Sequence, residues 1–414
     1  MIEILTIGDE LTSGRTVDEN STCIARALNT AGLTVARITT VGDGIKDIQR
    51  CLHDLLEETR FVIVTGGLGP TEDDRTAQAA ASAFGKKLLL SKPALDALEK
   101  KYTKFGGTMS PGAQKQALLP EGCCVIPNPV GTACGFLIAE PKQQFMFLPG
   151  VPEEVRAMLE SFLIGHILKE SGSREIILSK TLKVFGLWES GIHERLHGAL
   201  PECSSVSLGY YPHYPEVSLK ITGKGTDRTK IEKEIALYQQ VIYENIGDYI
   251  YSESGESLEE VVGDMLKKCR ETLAVAESCT GGLITHRLTN IAGSSEYVER
   301  SYVVYSNRAK EELLNIPCAV LSRYGAVSEP VAGLMATRAR KLSGTTYGLA
   351  VTGIAGPGGG STEKPVGTVF IGISSLMQTG VTQHRFRGSR EKIKIMSSQV
   401  ALNLLRNFMS KNHV

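Results

Sequence analysis

The chain has 414 residues, too many for one ordinary core and enough for two or three domains. Hydrophobic residues make up 42% and charged residues 22%, the balance of a folded rather than a disordered protein. Lys plus Arg equals Asp plus Glu at 45 each, so no global positive field favours nucleic acid, and no apolar run approaches the roughly 20 residues that span a bilayer. The opening MIEILTIGDELTSG carries Glu3 and Asp9 where a secretory signal has basic residues and an apolar stretch. Nine cysteines, an odd count without C-x-x-C spacing, suit reduced thiols better than a disulfide framework or a structural zinc. A cytoplasmic protein with no membrane partner is expected.

Over roughly the first 165 residues, short β-branched runs alternate with helical stretches. EILTI (3–7), LTVARITTV (33–41), FVIVTGG (61–67) and QFMFLPG (144–150) read as strands, and 18–31, 45–58, 72–84 and 151–163 carry helical periodicity. The alternation predicts a mostly parallel sheet with helices on both faces and a ligand beyond the carboxyl ends of the strands. Gly8-Asp9, Gly42-Asp43 and Gly66-Gly67 all stand at such ends. Residues 175–252 change character: TLKVFG is a strand, WESGIHERLHGAL a helix, and EVSLKITGKG (216–225) an alternating strand before a charged helix. Ser257, after the polar break SESGES, is placed to cap LEEVVGDMLKKC. The segment 256–414 returns to α/β alternation. LAVAES (273–278), YVVYS (302–306), YGLAVTG (347–353) and GTVFIGISS (367–375) are its strands, and REKIKIMSSQVALNLLRNF is a final long helix. The fold class is therefore α/β: two three-layer α/β domains, 1–168 and 256–414, joined by a small α+β connector over 175–252.

TGGLGPTEDDRT (65–76) runs from a strand through glycines into a helix whose first turn holds Glu72, Asp73 and Asp74. Gly66, Gly67 and Gly69 let backbone N–H groups approach an anion, whereas the carboxylates repel a bare phosphate. A divalent cation bridging carboxylate and phosphate oxygens reconciles the two. A glycine turn followed by an ordinary acidic helix start explains the same residues without a ligand.

Together with NPVGTACGF (128–136) and LPGVPEE (148–154), that segment resembles the domain shared by molybdopterin-binding proteins and the CinA (competence/damage-inducible) family, over about 1–165. The resemblance implies a metal-dependent pyrophosphatase acting on ADP-ribose. Asp43 and Asp74 then serve as metal or water-positioning carboxylates, with Asp9 and Asp73 beside them. Gly66, Gly67, Gly69, Asn128, Gly131 and Thr132 line the nucleotide pocket. Two positions depart from the family pattern: Cys134 replaces the proline of GTAPGF, and PGAQKQA has Gly112 where asparagine is common.

In the connector, His193-Glu194-Arg195-Leu196-His197 matches H-E-x-x-H, the zinc-protease helix signature. The pattern is short, no third histidine motif follows, and a solvated helix face accounts for it. By resemblance the region is a KH-like connector, and it lacks the G-x-x-G loop through which KH domains clamp nucleic acid.

AESCTGG (276–282) sets Ser278 between a buried strand and a helix, where a nucleophile is exposed beside backbone N–H groups. YSNRAK follows, ending in Lys310, and serine with lysine is an alternative to Ser-His-Asp when the lysine pKa is depressed. A capping serine, a flexible glycine turn and a surface lysine would explain the pieces singly. In the order AESCTGG, YSN-x-AK, TGIAGPGGG, KPVGTV, R, they resemble the CinA C-terminal domain, the nicotinamide-nucleotide amidase family, over about 258–410. That resemblance implies hydrolysis of nicotinamide mononucleotide to nicotinate mononucleotide and ammonia, with no cofactor. Ser278 is then the nucleophile, Lys310 its base, and Tyr305 an aid to proton transfer. Thr280 and Gly281 supply oxyanion donors, and Thr352 and Arg390 hold the substrate. Cys279 is the rival nucleophile. The family also implies a homodimer. Against this two-enzyme reading stand a non-catalytic protein of competence or DNA damage, which predicts a basic surface, and a molybdopterin-binding protein, which leaves the Ser/Lys constellation unexplained.

Overall fold

In the computed structural model residues 1–54, 59–104, 109, 111–172 and 176–412 are described. The N-terminal sheet has six strands in the spatial order Val35–Val41, Ile2–Ile7, Phe61–Thr65, Gln144–Leu148, Gly135–Ala139, Cys124–Ile126. The first four are parallel to one another, and the last two join antiparallel. Alternation along the central strands splits the core in two. Ile2, Ile4, Phe61 and Ile63 pack on one face with Ile24 and Leu28 of Glu19–Thr30. Leu5, Ile7, Val62 and Val64 pack on the other with Ile48 and Leu52 of Ile45–His53. This is the period-2 pattern of a strand buried on both faces.

Three sequence expectations shift here. The helix expected over 72–84 begins only at Thr76, so Glu72, Asp73 and Asp74 lie in the preceding loop rather than in a first helical turn. The helix expected over 45–58 is Ile45–His53, with 55–58 outside the described residues. The antiparallel strands Gly135–Ala139 and Cys124–Ile126 carry no marked periodicity and were not anticipated.

The connector forms a four-stranded sheet, ordered Val206–His213, Glu216–Gly225, Ile176–Val184, Ile250–Ser252, with helices Glu189–Leu196 and Arg228–Ile246. By compactness the chain divides into two units, Met1–Leu178 with Gly223–Glu232 and Ser179–Thr222 with Lys233–Val414. Most of the connector thus groups with the C-terminal block.

The C-terminal sheet is ordered Val298–Val303, Leu273–Glu277, Tyr347–Gly353, Thr368–Ser374, Thr379–Arg385. Its first three strands are parallel and the last two antiparallel. Leu273 and Val275 face the helices Leu258–Cys269 and Arg390–Asn412, whereas Ala274 and Ala276 face Asn307–Leu314 and Glu329–Ser343. Ser257 caps Leu258–Cys269, as the sequence anticipates, and Glu260 completes a reciprocal capping box. The YVVYS strand starts and ends earlier than expected, at Val298–Val303, so Tyr305 lies beyond it in the turn before the next helix. No described helix is long and apolar enough to cross a membrane.

Candidate active sites

At the carboxyl edge of the C-terminal sheet, Glu277 pairs with Val303 on one side and Val351 on the other, so Ser278, Val304 and Thr352 emerge side by side. The Ser278 amide stays tied to the Val351 carbonyl at 2.9 Å, holding the residue against the sheet. Gly281 and Gly282 follow with φ of +64° and +95°, a reversal that side chains rarely adopt and that sends the chain straight into helix Leu283–Thr289. Glu277, fully buried, fastens this turn. Its carboxylate accepts the amides of Gly282, Ile284 and Thr285 at 3.0, 3.1 and 2.9 Å and the Thr285 hydroxyl at 2.8 Å. A carboxylate under a helix N-terminus is favourable by charge as well as by hydrogen bonding. The sequence reading passed over Glu277, although a glutamate ending an otherwise apolar strand was a visible signal.

Lys310 arrives from the next strand. Ser306 caps helix Asn307–Leu314 by accepting the Ala309 amide, which places Lys310 one turn in. Helical side chains lean toward the helix N-terminus, here back toward the sheet edge. The side chain is 1% exposed. Its Nζ lies 3.1 Å from Ser278 Oγ and donates to the carbonyls of Val304 at 2.7 Å and Tyr305 at 3.4 Å. Burial away from water pulls its pKa down to about 8. The neighbouring Cys279 thiol is driven the other way, up to about 12, again by burial. It therefore stays a protonated, unreactive thiol near neutrality.

The remaining expected residues divide. The Thr280 hydroxyl is buried without a hydrogen-bond partner among the described residues, and neither the Cys279 nor the Thr280 amide is given to a backbone carbonyl there. Gly281 departs from expectation: its amide already donates to the Ser278 carbonyl at 3.1 Å. Tyr305 meets Lys310 through its backbone carbonyl, and its hydroxyl instead accepts from Arg390 at 2.8 Å. The same guanidinium donates to Gly356 O at 2.7 Å, gathering the glycine loop, Tyr305 and the last helix at one rim. Thr352 is 1% exposed and its hydroxyl is given to Ala326 O at 2.9 Å, so it braces the sheet edge rather than presenting a ligand donor.

The N-terminal unit holds a cavity of about 610 Å³ at the carboxyl ends of its parallel strands, the volume of a nucleotide-sized ligand. Asp43, Asp73, Asp74, Gly66, Gly67, Gly69 and Thr132 line it, as expected. Asp9, Asn128 and Gly131 are not among the lining residues and act as its framework. Asp9 accepts the Asp43 amide at 3.0 Å while Asp43 accepts the Asp9 amide at 2.8 Å, stitching two strand ends together. Asn128 accepts the amides of Val130 and Gly131 and donates to Ala133 O and Glu154 Oε2, the last two at 2.8 Å. Any side chain on Gly131 would collide with the Glu154 carboxylate.

Glu154 itself lines the cavity and was missed, because LPGVPEE reads as an ordinary acidic helix start. Burial raises its pKa, and burial with the nearby charges of Asp9, Glu10 and Asp73 raises that of Asp43. Asp73, exposed and hydrogen-bonded by Thr71, is held low. Asp74 accepts the Thr71 amide at 2.8 Å and the Thr71 hydroxyl at 2.5 Å. Among the described residues no three His, Cys, Asp or Glu side chains are grouped to hold a metal ion. A divalent cation here would take carboxylate oxygens of these walls together with phosphate oxygens and water. The two rings of the H-E-x-x-H segment lie 5.7 Å apart, with His193 in helix Glu189–Leu196 and His197 capping its end. Cys134, the family's proline position, is buried in the core behind the cavity.

Comparison with known proteins matches three segments of the chain in turn. Residues 3–169 match the probable molybdopterin binding domain, 179–252 the damage-inducible protein CinA KH domain, and 255–409 the CinA C-terminal domain. A CinA-like protein of Geotalea uraniireducens is 40% identical over 405 residues, 98% of this chain and 96% of that one. One of Geobacter sulfurreducens is 42% identical over 405 residues, 98% of each. With likeness of this extent running through all three segments, the chain belongs to the CinA family.

Proposed function

We propose that the C-terminal site hydrolyses the amide of nicotinamide mononucleotide, giving nicotinate mononucleotide and ammonia. The observation that carries this reading is the buried Lys310 amine 3.1 Å from Ser278 Oγ. With two carbonyls accepting from Nζ, a neutral amine turns its lone pair to the Ser278 hydroxyl and serves as general base. Ser278 Oγ attacks the amide carbon as its proton passes to Lys310. The amides of Cys279 and Thr280, neither given to a backbone carbonyl, are the candidates to donate to the resulting oxyanion. Lys310 then returns the proton to the departing nitrogen, the C–N bond breaks, and ammonia leaves an acyl ester on Ser278. Water, deprotonated by the same lysine, cleaves that ester. The rim of Arg390 and Tyr305 suits the substrate phosphate. Ammonia release from nicotinamide mononucleotide by the wild-type chain, and its loss in Ser278→Ala, tests the assignment.

The N-terminal cavity supports a second activity, cleavage of an ADP-ribose-type pyrophosphate. Its size and its pairing of glycine backbone with carboxylates favour a phosphate ligand accompanied by a divalent cation. Asp43, Asp73 and Asp74 line the cavity and would share that cation with phosphate oxygens and water, and the cation would supply charge neutralisation between phosphate and carboxylate. Glu154, protonated more readily than an ordinary carboxyl, is placed to pass a proton to or from the bound ligand. Pyrophosphate cleavage that requires an added divalent cation tests this half. A cytoplasmic homodimer recycling pyridine nucleotides completes the reading.

A further inference from the structure

The connector carries a cavity of about 630 Å³ that neither proposed activity uses. Four rings line it: Trp188, His193, Tyr210 and Tyr214. Trp188 and Tyr214 face each other nearly parallel, at 21° with centroids 6.3 Å apart, and Trp188 is 61% exposed. A flat ring between two others needs about 7 Å, twice an ordinary stacking contact. Trp188, at the surface, can swing outward to admit one.

Charge selects among flat ligands. The lining contains Glu189 and Glu216 but no lysine or arginine. Glu216 is already paired with Lys183 at 2.9 Å and accepts from Tyr251. Glu189 enters no ion pair among the described residues, and its charge adds to burial in raising the Tyr210 hydroxyl pKa, so its field falls on the rings. Tyr214 already draws a cation: Lys392 Nζ lies 5.5 Å from its ring centroid. Aromatic faces beside a free carboxylate are the chemistry that holds an organic cation, and they repel a phosphate chain.

We propose that the slot between Trp188 and Tyr214, with Glu189 in its lining, binds a compact planar organic cation of the N-substituted pyridinium class. The ring stacks between the two aromatic faces while Glu189 balances its charge. This site is independent of Ser278 chemistry.

Trp188 is the only tryptophan in the chain, so its fluorescence reads the slot directly. The titration uses the full-length Ser278→Ala variant, to exclude turnover, with 1-methylnicotinamide as probe and neutral nicotinamide as control. Quenching by the pyridinium should saturate, and quenching by nicotinamide over the same range should not. Glu189→Gln, a surface change that leaves packing intact, should raise the half-saturating concentration about tenfold, as loss of a close charge partner does. Calorimetry should show the same with tetramethylammonium at weaker affinity, since it has charge without a ring. Non-saturating quenching, equal saturation by nicotinamide, or an unchanged half-saturation in Glu189→Gln overturns the proposal. Displacement of the pyridinium by a single-stranded oligoribonucleotide at lower concentration overturns it in favour of nucleic acid.

Discussion

The two candidate sites occupy equivalent places, beyond the carboxyl ends of parallel strands, yet they are built to opposite plans. In the C-terminal unit the reacting groups already touch. A buried lysine lies against a serine, and a buried glutamate with four hydrogen bonds holds the turn between them and the helix. In the N-terminal unit the walls are open and acidic, several polar side chains are spent on one another's backbone, and no metal cage stands ready among the described residues. On the proposed readings, one site brings its chemistry in its own side chains and the other is completed by a bound cation. Amide hydrolysis by serine needs a preorganised nucleophile and base, whereas cleaving an anhydride needs charge neutralisation that acidic walls cannot supply alone.

The largest effect that tests this contrast is at Ser278. Ser278→Ala should lower kcat for deamidation by about three orders of magnitude or more, as loss of an activated nucleophile does. Steady-state ammonia release measures it, and a variant keeping a tenth of the activity would end the serine assignment.

Lys310→Arg keeps the charge but cannot accept a proton near neutrality, so deamidation should fall about a hundredfold or more. The wild-type pH profile carries the sign. With a Lys310 pKa of about 8, the amine is mostly protonated below that pH, so the rate should rise with pH and level off above it. A rate that falls across pH 6 to 9 would exclude lysine as base.

The sites should separate cleanly. A chelator should stop pyrophosphate cleavage and leave deamidation within about twofold, because Ser/Lys acyl transfer needs no metal. Asp74→Asn should reproduce that pattern. If either treatment silences deamidation, the two sites are not independent.

Glu277→Gln tests how much the turn matters. It sets an amide NH2 group against backbone donors, a loss of about 1–3 kcal/mol in a buried network. Deamidation kcat should drop about tenfold to a hundredfold with KM nearly unchanged, since substrate does not touch this side chain. A fall in thermal stability with kcat intact would make Glu277 structural only.

The smallest effect should be at the rival nucleophile. Cys279→Ser should retain deamidation within about fivefold, because a thiol with pKa about 12 contributes no thiolate. Metal analysis of the purified chain should likewise find no stoichiometric zinc, with or without His193 and His197.

Much of this architecture was legible in the sequence because it rests on local physics. The short apolar strands Ile2–Ile7 and Leu273–Glu277, the Ser257 cap and the glycine pair at 281–282 follow from backbone geometry within a few residues. The pairing of Ser278 with Lys310 was likewise expected, through the order of motifs. Other assignments depended on which atom faces which neighbour, a matter only the packed chain decides. Tyr305 offers Lys310 a carbonyl and gives its hydroxyl to Arg390, 85 positions away. Thr352 is consumed by Ala326, and Asp9 and Asn128 serve as framework. Glu154 looks like a common surface glutamate until burial and its Asn128 partner give it a role. Residue type and spacing constrain where the backbone goes. Burial and hydrogen-bond competition among residues distant in sequence decide which side chains remain free for a ligand.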